Sequence, residues 1–425
     1  MFERLIGRQL RRILGAVIVT VVLPGCWLQV GFDARHTRTN TFEHQLTAAN
    51  VASLRHMWSV TVPGEASEPM IIGNRVFVTL TNTVSGSAFV GVRALSLRNG
   101  ATAWDRRLVS SPNASEVFSA PVAFVGDQLA SGYGTAVVGS ATDCALVRLD
   151  PSTGAVVSSE RTAWPVSPFV TAGSHVAQIT FPAATDCFPS FLPSLVVRDR
   201  DTFTTRWSAS LGPNANTAAL PTLAGGQIFA VNGPNLMAFP VGGCGALTCT
   251  PTWSTDLGDS PTLPVPVAGP NPQLFVTTLE LIAVDQQTGD VRWRAPLPGA
   301  STGIAIARST VYVTTVGPDS ADNTLQAFAA RGCGSATCSP LWTAALDTPS
   351  NAAPVAAGGV VYAGSTGAVR AFEADGCGAS TCRELAHVQV VGFPRTLSVA
   401  QGHLLVTSST DGGTASNTIT AFAPA

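Results

Sequence analysis

The sequence predicts an all-β protein, an eight-bladed β-propeller whose blades are four-stranded antiparallel sheets. Three observations lead to this prediction. The composition is rich in turn residues, with 40 Gly and 29 Pro and only 12% charged residues. A tryptophan-ended unit recurs at intervals of about 40 to 50 residues, which is the length of a propeller blade. The chain of 425 residues also exceeds the roughly 250–300 residues at which a single hydrophobic core stops growing.

A tryptophan marks the last strand of most units. These marks stand at Trp58, Trp104, Trp207, Trp253, Trp293 and Trp342. The long interval after Trp104 contains two units, and its missing mark falls near Ser158. The final mark falls at Ala386, where alanine replaces tryptophan. Counted from Trp58, the marks therefore predict eight blades.

The strand order inside a unit is constant. A proline-containing apolar strand is followed by a glycine turn and a second strand, as in GNRVFVTL (73–80), and a third strand ends in a turn, as in LIAVDQQTG (281–289). Short runs of this kind, rich in Val and aromatic residues, are typical of an antiparallel meander. The last unit, 392–425, stops after its third strand. We expect LRHMWSV (54–60) to supply its fourth strand and close the ring, which removes an exposed edge.

The N-terminus is read as an export signal. Four arginines among the first twelve residues precede an apolar run at 13–23, and this run is shorter than the about 20 residues needed to span a bilayer. LPGC, residues 23–26, resembles a bacterial lipobox with cleavage before a lipidated Cys26, although Pro24 departs from the usual residue at its position. We therefore expect a lipoprotein-type signal peptide at 1–25, a linker or lead-in at 26–45 and the propeller at 46–425.

Two alternatives to lipidation remain at the N-terminus. One is ordinary secretion with cleavage elsewhere, and the other is an uncleaved anchor at 13–30. All three interpretations place the body outside the cytoplasm, where disulfides persist. We expect the protein to be anchored to a bacterial membrane through Cys26, with secretion as the alternative.

The repeats resemble the PQQ-type propeller family. The lead-in LTAANVASLRHMW (46–58) is similar to that family's L-T-x-x-N-V-x-x-L-x-x-x-W segment, and the units match its apolar strand, G-x-V-Y-V and A-L-D-x-x-T-G-x-x-x-W pattern. The resemblance covers nearly the whole mature chain. It implies an eight-bladed ring in which the tryptophans dock between neighbouring blades rather than stack on a cofactor.

The resemblance leaves two classes of function open. One branch of the family consists of quinoprotein dehydrogenases that hold PQQ and Ca²⁺ over the ring centre, and another consists of non-enzymatic envelope lipoproteins. The enzymes carry adjacent cysteines, a carboxylate base and a calcium set, whereas this chain has no Cys-Cys dipeptide and no set that we can match. We therefore predict a non-enzymatic binding or scaffold propeller without a cofactor or a catalytic or metal site. The alternative is a PQQ-dependent alcohol or sugar oxidoreductase with PQQ and Ca²⁺, and a hydrolase built from loops is a third possibility.

The composition also limits the partners. The net charge is −2, and no basic patch outside the N-terminus supports nucleic-acid binding. We expect a monomer that contacts an envelope protein or a cell-wall polymer. The loops most enlarged over the repeat, 81–91, 180–194 and 317–324, are candidate contact loops because loops carry function more often than strands do.

The cysteines read as a disulfide set. Setting aside Cys26 leaves eight of the nine, an even number. Three C-x4-C pairs each follow a third strand: Cys244 with Cys249, Cys333 with Cys338, and Cys377 with Cys382. A zinc site needs four ligands, so two of these pairs would have to meet, but they lie in separate blades, 4, 6 and 7. We therefore predict three small disulfide loops. Cys144 and Cys187 both end an ATDC tetrapeptide that we expect to precede the third strand, in neighbouring blades 2 and 3, which predicts a bridge between them.

Other polar residues give weaker signals. His36, His44 and His56 have no metal-like spacing, and His175 and His403 occupy similar turn-to-strand positions, which favours packing over ligation. Asp319 and Asp322 share a loop that is a weak cation candidate. No hydrolytic motif is present.

Overall fold

The computed structural model describes residues 25–84, 86–111, 116–137, 140–161, 164–165, 167–181, 192–213, 219–349, 351–410 and 416–425. Apart from Gly25, the predicted signal peptide lies outside these residues. Within the described part of the chain no α-helix occurs, and no helix is long and apolar enough to span a membrane.

The chain forms eight antiparallel blades in sequence order, and a short strand of the N-terminal part pairs in parallel with the first strand of blade 7. The N-terminal part contains β1 (Thr39–Asn40), a 3₁₀ turn (Val51–Ser53) and β2 (Leu54–Pro63). Blade 1 contains β3 (Glu65–Ala66), β4 (Met70–Ile72), β5 (Arg75–Asn82), β6 (Phe89–Ser96) and β7 (Thr102–Ser110). Blade 2 contains β8 (Glu116–Val125), β9 (Gln128–Val137), β10 (Ser140–Leu149) and β11 (Val156–Arg161). Blade 3 contains β12 (Trp164–Pro165), β13 (Val170–Ala172), β14 (His175–Phe181), β15 (Ser194–Asp199) and β16 (Thr205–Ser210).

The second half of the ring repeats the same order. Blade 4 contains β17 (Thr222–Ala224), β18 (Gln227–Asn232), β19 (Asn235–Pro240) and β20 (Trp253–Asp256). Blade 5 contains β21 (Leu263–Ala268), β22 (Gln273–Thr277), β23 (Glu280–Asp285) and β24 (Val291–Pro296). Blade 6 contains β25 (Ala300–Ala307), β26 (Thr310–Val316), a 3₁₀ turn (Ser320–Asp322), β27 (Thr324–Ala329) and β28 (Trp342–Ala345). Blade 7 contains β29 (Val355–Ala357), β30 (Val360–Ser365), β31 (Ala368–Glu373) and β32 (Ala386–Gln389), and blade 8 contains β33 (Phe393–Ala400), β34 (His403–Ser409) and β35 (Ser416–Pro424).

Ring closure follows the predicted pairing. Strand β2 pairs antiparallel with β35, with Trp58 opposite Ala421, and so provides the fourth strand of blade 8. The eight-bladed propeller expected from the repeat is therefore confirmed.

Alternating strand direction gives the ring two different faces. The turns that join first to second and third to fourth strands lie on one face, which we call the turn face. The turns that join second to third strands, and the connections between blades, lie on the opposite face, which we call the open face. The first strand of each blade is innermost and lines the ring axis.

The apolar residues are buried mainly between blades. One cluster joins blades 1 and 2 and includes Phe77 and Leu129, and another joins blades 5 and 6 and includes Phe275 and Phe328. The largest cluster spans blades 7, 8 and 1 and also contains Trp27 from the N-terminal part. The hydrophobic driving force for folding is therefore realised across the interfaces between blades.

Each fourth-strand tryptophan docks on the next blade. Trp293 of blade 5 lies over Gly332 of blade 6, where an added Cβ would come within 2.6 Å of the indole. The same pairing joins Trp58 to Gly100, Trp104 to Gly154, Trp207 to Gly243, Trp253 to Gly289 and Trp342 to Gly376. All six glycines have positive φ, which explains the glycine at the end of the turn.

Between blades 2 and 3 the aromatic and the small residue exchange positions. Ser158 occupies the tryptophan position of blade 2, and Phe203, with φ of 62°, occupies the glycine position of blade 3. Arg148 pairs with Ser158 across the sheet and stacks over the Phe203 ring at 5.3 Å. The missing tryptophan near Ser158 is thus replaced by an aromatic ring from the opposite side of the interface.

Candidate functional site

The N-terminal part of the propeller runs inside the ring. Residues Trp27–Asn40, which we call the strap, contact the inner strand of all eight blades in order. The eight contacts are Trp27 N to Ile71 O (2.8 Å), Phe124 N to Leu28 O (3.1 Å), Thr171 N to Gln29 Oε1 (2.9 Å), Leu223 N to Ala34 O (2.8 Å), Ala268 N to Arg35 O (2.9 Å), Ile306 N to Thr37 O (2.8 Å), Ala356 N to Arg38 O (2.9 Å) and Asn40 Nδ2 to Val399 O (2.9 Å). The predicted linker at 26–45 is therefore built into the ring.

The strap curves because several of its residues adopt left-handed backbone conformations. Gly31, Phe32, His36 and Arg38 have φ between 49° and 76°. This conformation costs roughly 1–2 kcal/mol at each non-glycine residue. The hydrogen bonds to the blades offset that strain, so the conformation depends on the closed ring.

Glu68 of blade 1 holds the strap. Its buried carboxylate accepts hydrogen bonds from Trp27 Nε1 at 2.7 Å, from Gly31 N at 2.8 Å and from Arg38 Nη1 at 2.8 Å. A buried charge needs this number of partners to offset its desolvation. Glu68 lies in no sequence motif, so its role could not be predicted from the sequence.

His36 closes the other side of the curve. Its side chain is buried, with Nδ1 3.1 Å from Val30 O and Nε2 3.0 Å from Pro221 O. Burial lowers the pKa of His36 below its usual value, while the Pro221 carbonyl acts in the opposite direction. The imidazole of His36 therefore links the strap to blade 4.

A pocket of about 190 Å³ lies on the ring axis, between the strap and the open face. His36 and Arg38 of the strap form part of its lining, and the walls come from blades 4 to 8. Its polar lining residues are Thr277, Thr302, Asn351, Arg395 and Thr396, and its apolar ones are Leu220, Leu263, Val265, Val267, Ile304 and Ala353. We call it the axial pocket and regard it as the candidate binding site, because its lining combines apolar walls with a few convergent polar side chains.

The axial pocket does not fit a quinone held by calcium. Calcium takes six to eight oxygen ligands, usually including carboxylates. The described residues that line the pocket include two arginines and no aspartate or glutamate. Elsewhere in the described chain, no cluster of three or more His, Cys, Asp or Glu residues is positioned to hold a metal. Because Arg38 is already paired with Glu68, the missing carboxylate ligands are the main obstacle to a divalent cation at this position.

The three C-x4-C pairs form disulfides on the turn face. Cys244 is joined to Cys249, Cys333 to Cys338 and Cys377 to Cys382, with Cα–Cα distances of 5.7, 5.6 and 5.6 Å. Each loop also pairs with the fourth strand of the preceding blade, through Ser208 and Thr248, Arg294 and Thr337, and Thr343 and Thr381. The loops therefore fasten blade 3 to 4, blade 5 to 6 and blade 6 to 7.

Of the remaining cysteines, the structure describes Cys26 and Cys144. Cys144 is buried in the third strand of blade 2, rather than before it as the sequence suggested. Cys187 lies outside the described residues, so the Cys144–Cys187 bridge stays a prediction. Cys26 is buried at the start of the strap, with Sγ 3.9 Å from Gln401 Nε2.

The other candidate residues have local partners. His175 Nε2 lies 3.1 Å from Arg206 Nη1, and His403 Nδ1 lies 2.7 Å from Gln401 O. Asp319 and Asp322 cap the 3₁₀ turn of blade 6 rather than converge on an open site. The remaining histidines named above, His44 and His56, are exposed.

The candidate contact loops are only partly described. Loops 81–91 and 317–324 lie in the described chain apart from residue 85, whereas most of loop 180–194, residues 182–191, lies outside it.

Solved structures similar to the chain share its fold across two functional classes. A europium-containing methanol dehydrogenase has a TM-score of 0.66 at 12% identity, covering 94% of this chain and 98% of its own. A quinohemoprotein alcohol dehydrogenase from Comamonas testosteroni has a TM-score of 0.67 at 13% identity, covering 94% and 80%. BamB from Moraxella catarrhalis has a TM-score of 0.56 at 18% identity, covering 88% and 98%. At these identities the likeness shows the fold alone.

The sequence itself matches one family. No curated protein matches it, but the family described as outer membrane protein assembly factor BamB matches residues 28–191 and 241–375. That match includes most of the strap and more than half of the chain. The protein therefore belongs to the BamB-like family of PQQ-type propellers.

Proposed function

We propose that this protein is a non-enzymatic binding or scaffold propeller of the bacterial cell envelope, anchored through a lipidated Cys26. Its family is envelope-associated, and its three disulfides are typical of an oxidising compartment. The observation that carries the proposal is the lining of the axial pocket. It combines arginine, threonine and asparagine side chains with apolar ones and lacks carboxylates among the described residues, so it suits binding better than calcium-quinone chemistry.

The open face is the proposed contact surface. Exposed apolar side chains lie on the turns and blade connections of that face: Val84, Leu192, Leu279, Val391 and Phe393. Leu279 is 64% exposed at the tip of a turn in blade 5, and Val391 is 63% exposed between blades 7 and 8. Exposed apolar side chains on one face favour a protein interface there. We therefore expect an envelope protein, with a cell-wall polymer as the alternative partner.

A matched pair of variants tests this proposal. Leu279→Glu places a charge on the open face, and Leu247→Glu places one on the turn face, where Leu247 is 78% exposed. Both positions lie in exposed loops, so we expect little change in stability. In crosslinking of intact native envelopes followed by mass spectrometry, Leu279→Glu should lose the partner that wild type and Leu247→Glu retain. The reverse pattern, or retention by both variants, would contradict the proposed contact surface.

A further inference from the structure

We propose that the lipidated protein lies with its turn face flat on the membrane, in contact with phospholipid headgroups, and presents its open face away from the bilayer. This inference rests on the lipid anchor of the proposed function. It adds an orientation that the family match does not supply.

No flexible tether separates Cys26 from the propeller ring. Trp27 follows Cys26 directly and is fully buried. Its backbone forms a two-way bridge with Ile71, at 2.8 and 2.9 Å, and its indole donates to Glu68. A flexible linker gains up to about 3.5 Å of reach per residue, but here no residue is left to extend. Acyl chains on Cys26 therefore hold the ring against the bilayer surface.

The anchor at Cys26 lies on the turn face, near the ring axis. Ile71 lies two residues before the first-to-second-strand turn of blade 1, and Gln401, which contacts Cys26, lies in the corresponding turn of blade 8. Both turns are on the turn face, and both belong to inner strands. The Cys26 side chain is buried beside Gln401, so the proposal requires that lipidation turn it outward. An anchor near the axis holds the whole face level, whereas an anchor on the outer rim would tilt the ring on its edge.

The turn face exposes both apolar and charged side chains. The segment after the strap crosses this face and exposes Phe42, which is 55% exposed, and the stapled loop of blade 4 exposes Leu247. Exposed arginines of the same face include Arg308 and Arg331. Arg308 pairs with Asp375 at 2.9 Å, so positive and negative charges are mixed. Apolar tips among mixed charges suit the interfacial layer, and docking that depends on the anchor should be insensitive to salt.

Amide hydrogen exchange on vesicles tests the orientation. The lipidated full chain is placed in vesicles of phosphatidylethanolamine and phosphatidylglycerol and compared with an unlipidated Cys26→Ala form. We expect slower exchange, in low and high salt, in peptides from 41–46, 244–249 and 333–338 of the turn face. Peptides around Leu279 and Val391 of the open face should not change. A control with about 15 Gly and Ser residues inserted between Cys26 and Trp27 should remain on the vesicles but lose most of this protection, since such a linker spans roughly 20 Å.

The outcomes separate this proposal from the proposed function. Protection of open-face peptides, or equal turn-face protection in the linker variant, would overturn the orientation set by the short anchor while leaving the binding function intact. Mass spectrometry of the N-terminal peptide provides the second readout. An N-terminal peptide without acyl groups would overturn the lipid anchor itself, and with it this orientation.

Discussion

The third-to-fourth-strand turn is built in two different ways in this ring. In blades 2, 3 and 5 an aspartate caps the turn, as when Asp285 accepts hydrogen bonds from the amides of Gln287 and Thr288 at 2.8 and 3.0 Å. In blades 4, 6 and 7 a disulfide closes the loop, and its returning residues pair with the preceding blade. In five of these six blades the turn ends in a glycine seat for the neighbour's tryptophan, and blade 3 instead carries Phe203.

This difference changes the meaning of the cysteine repeat. The aspartate bonds to its own turn and, in blades 3 and 5, to an arginine in the fourth strand of the same blade. The stapled loop instead forms backbone hydrogen bonds with the preceding blade, such as Arg294 N to Ala336 O and Cys338 N to Arg294 O. The C-x4-C pairs thus mark three reinforced interfaces and form no common site.

The largest expected effect comes from restoring the repeat between blades 2 and 3. The test uses an Arg148→Ala background, since a small residue lies opposite most of the docking tryptophans. In this background Phe203→Gly alone should destabilise the protein by about 2–4 kcal/mol. The loss of a buried ring outweighs the relief of left-handed backbone strain. Ser158→Trp alone should overpack the interface by about 1–3 kcal/mol. The double variant should recover more than 1 kcal/mol relative to additivity. Denaturant unfolding measures the cycle, and additive effects would refute the inverted-pair explanation.

A pair of glycines isolates the docking contact within a stapled loop. Gly332 and Gly334 have φ of 84° and 81°, but only Gly332 meets Trp293, and nothing lies within 4 Å of an added Cβ at Gly334. Alanine at either position should cost about 1 kcal/mol from backbone strain. Gly332→Ala should cost about 1–3 kcal/mol more, because the methyl group overpacks against the indole. Equal losses in thermal unfolding would argue against tryptophan docking as the source.

Breaking one staple should have a smaller effect. Replacing Cys333 and Cys338 together by serine removes a six-residue loop closure, worth about 2 kcal/mol in the chain-entropy model. Reductant should lower the melting temperature of wild type and have less effect on this variant, since one of its staples is already gone. A variant as stable as wild type, with an unchanged response to reductant, would show that the staple does not hold the interface between blades 5 and 6.

The aspartate turns should respond to acid instead. The hydrogen bond from Arg292 lowers the pKa of Asp285 below its usual value of 3.8. This carboxylate therefore stabilises the fold fully above that pKa, and the contribution is lost as pH falls through the lower folded value. Asp285→Asn should therefore reduce stability slightly at neutral pH and flatten its dependence on pH below about 4. An unchanged acid profile would contradict the assigned role of this turn.

The sequence predicted the parts of the molecule that depend on repetition. The blade count, the closing strand and the cysteine pairs within single loops could all be read from spacing. The strap could not be predicted, because most of its contacts to the blades are made by backbone atoms that carry no sequence signal. Glu68 was missed for a related reason, since its partners Trp27 and Arg38 come from the strap and not from the repeat. The pairing of the stapled loops with the preceding blade also depends on the closed ring.

The proposed function requires a propeller that binds a partner and does not use a quinone. The most direct measurement is an equilibrium titration of the purified full chain with PQQ and Ca²⁺, followed by quinone absorbance and dye-linked oxidation of alcohols and sugars. We predict no saturable binding and no turnover, because the axial pocket offers Arg38 and Arg395 where calcium would need carboxylates. Binding of one quinone per chain with oxidation of a substrate would contradict the account and establish the oxidoreductase alternative.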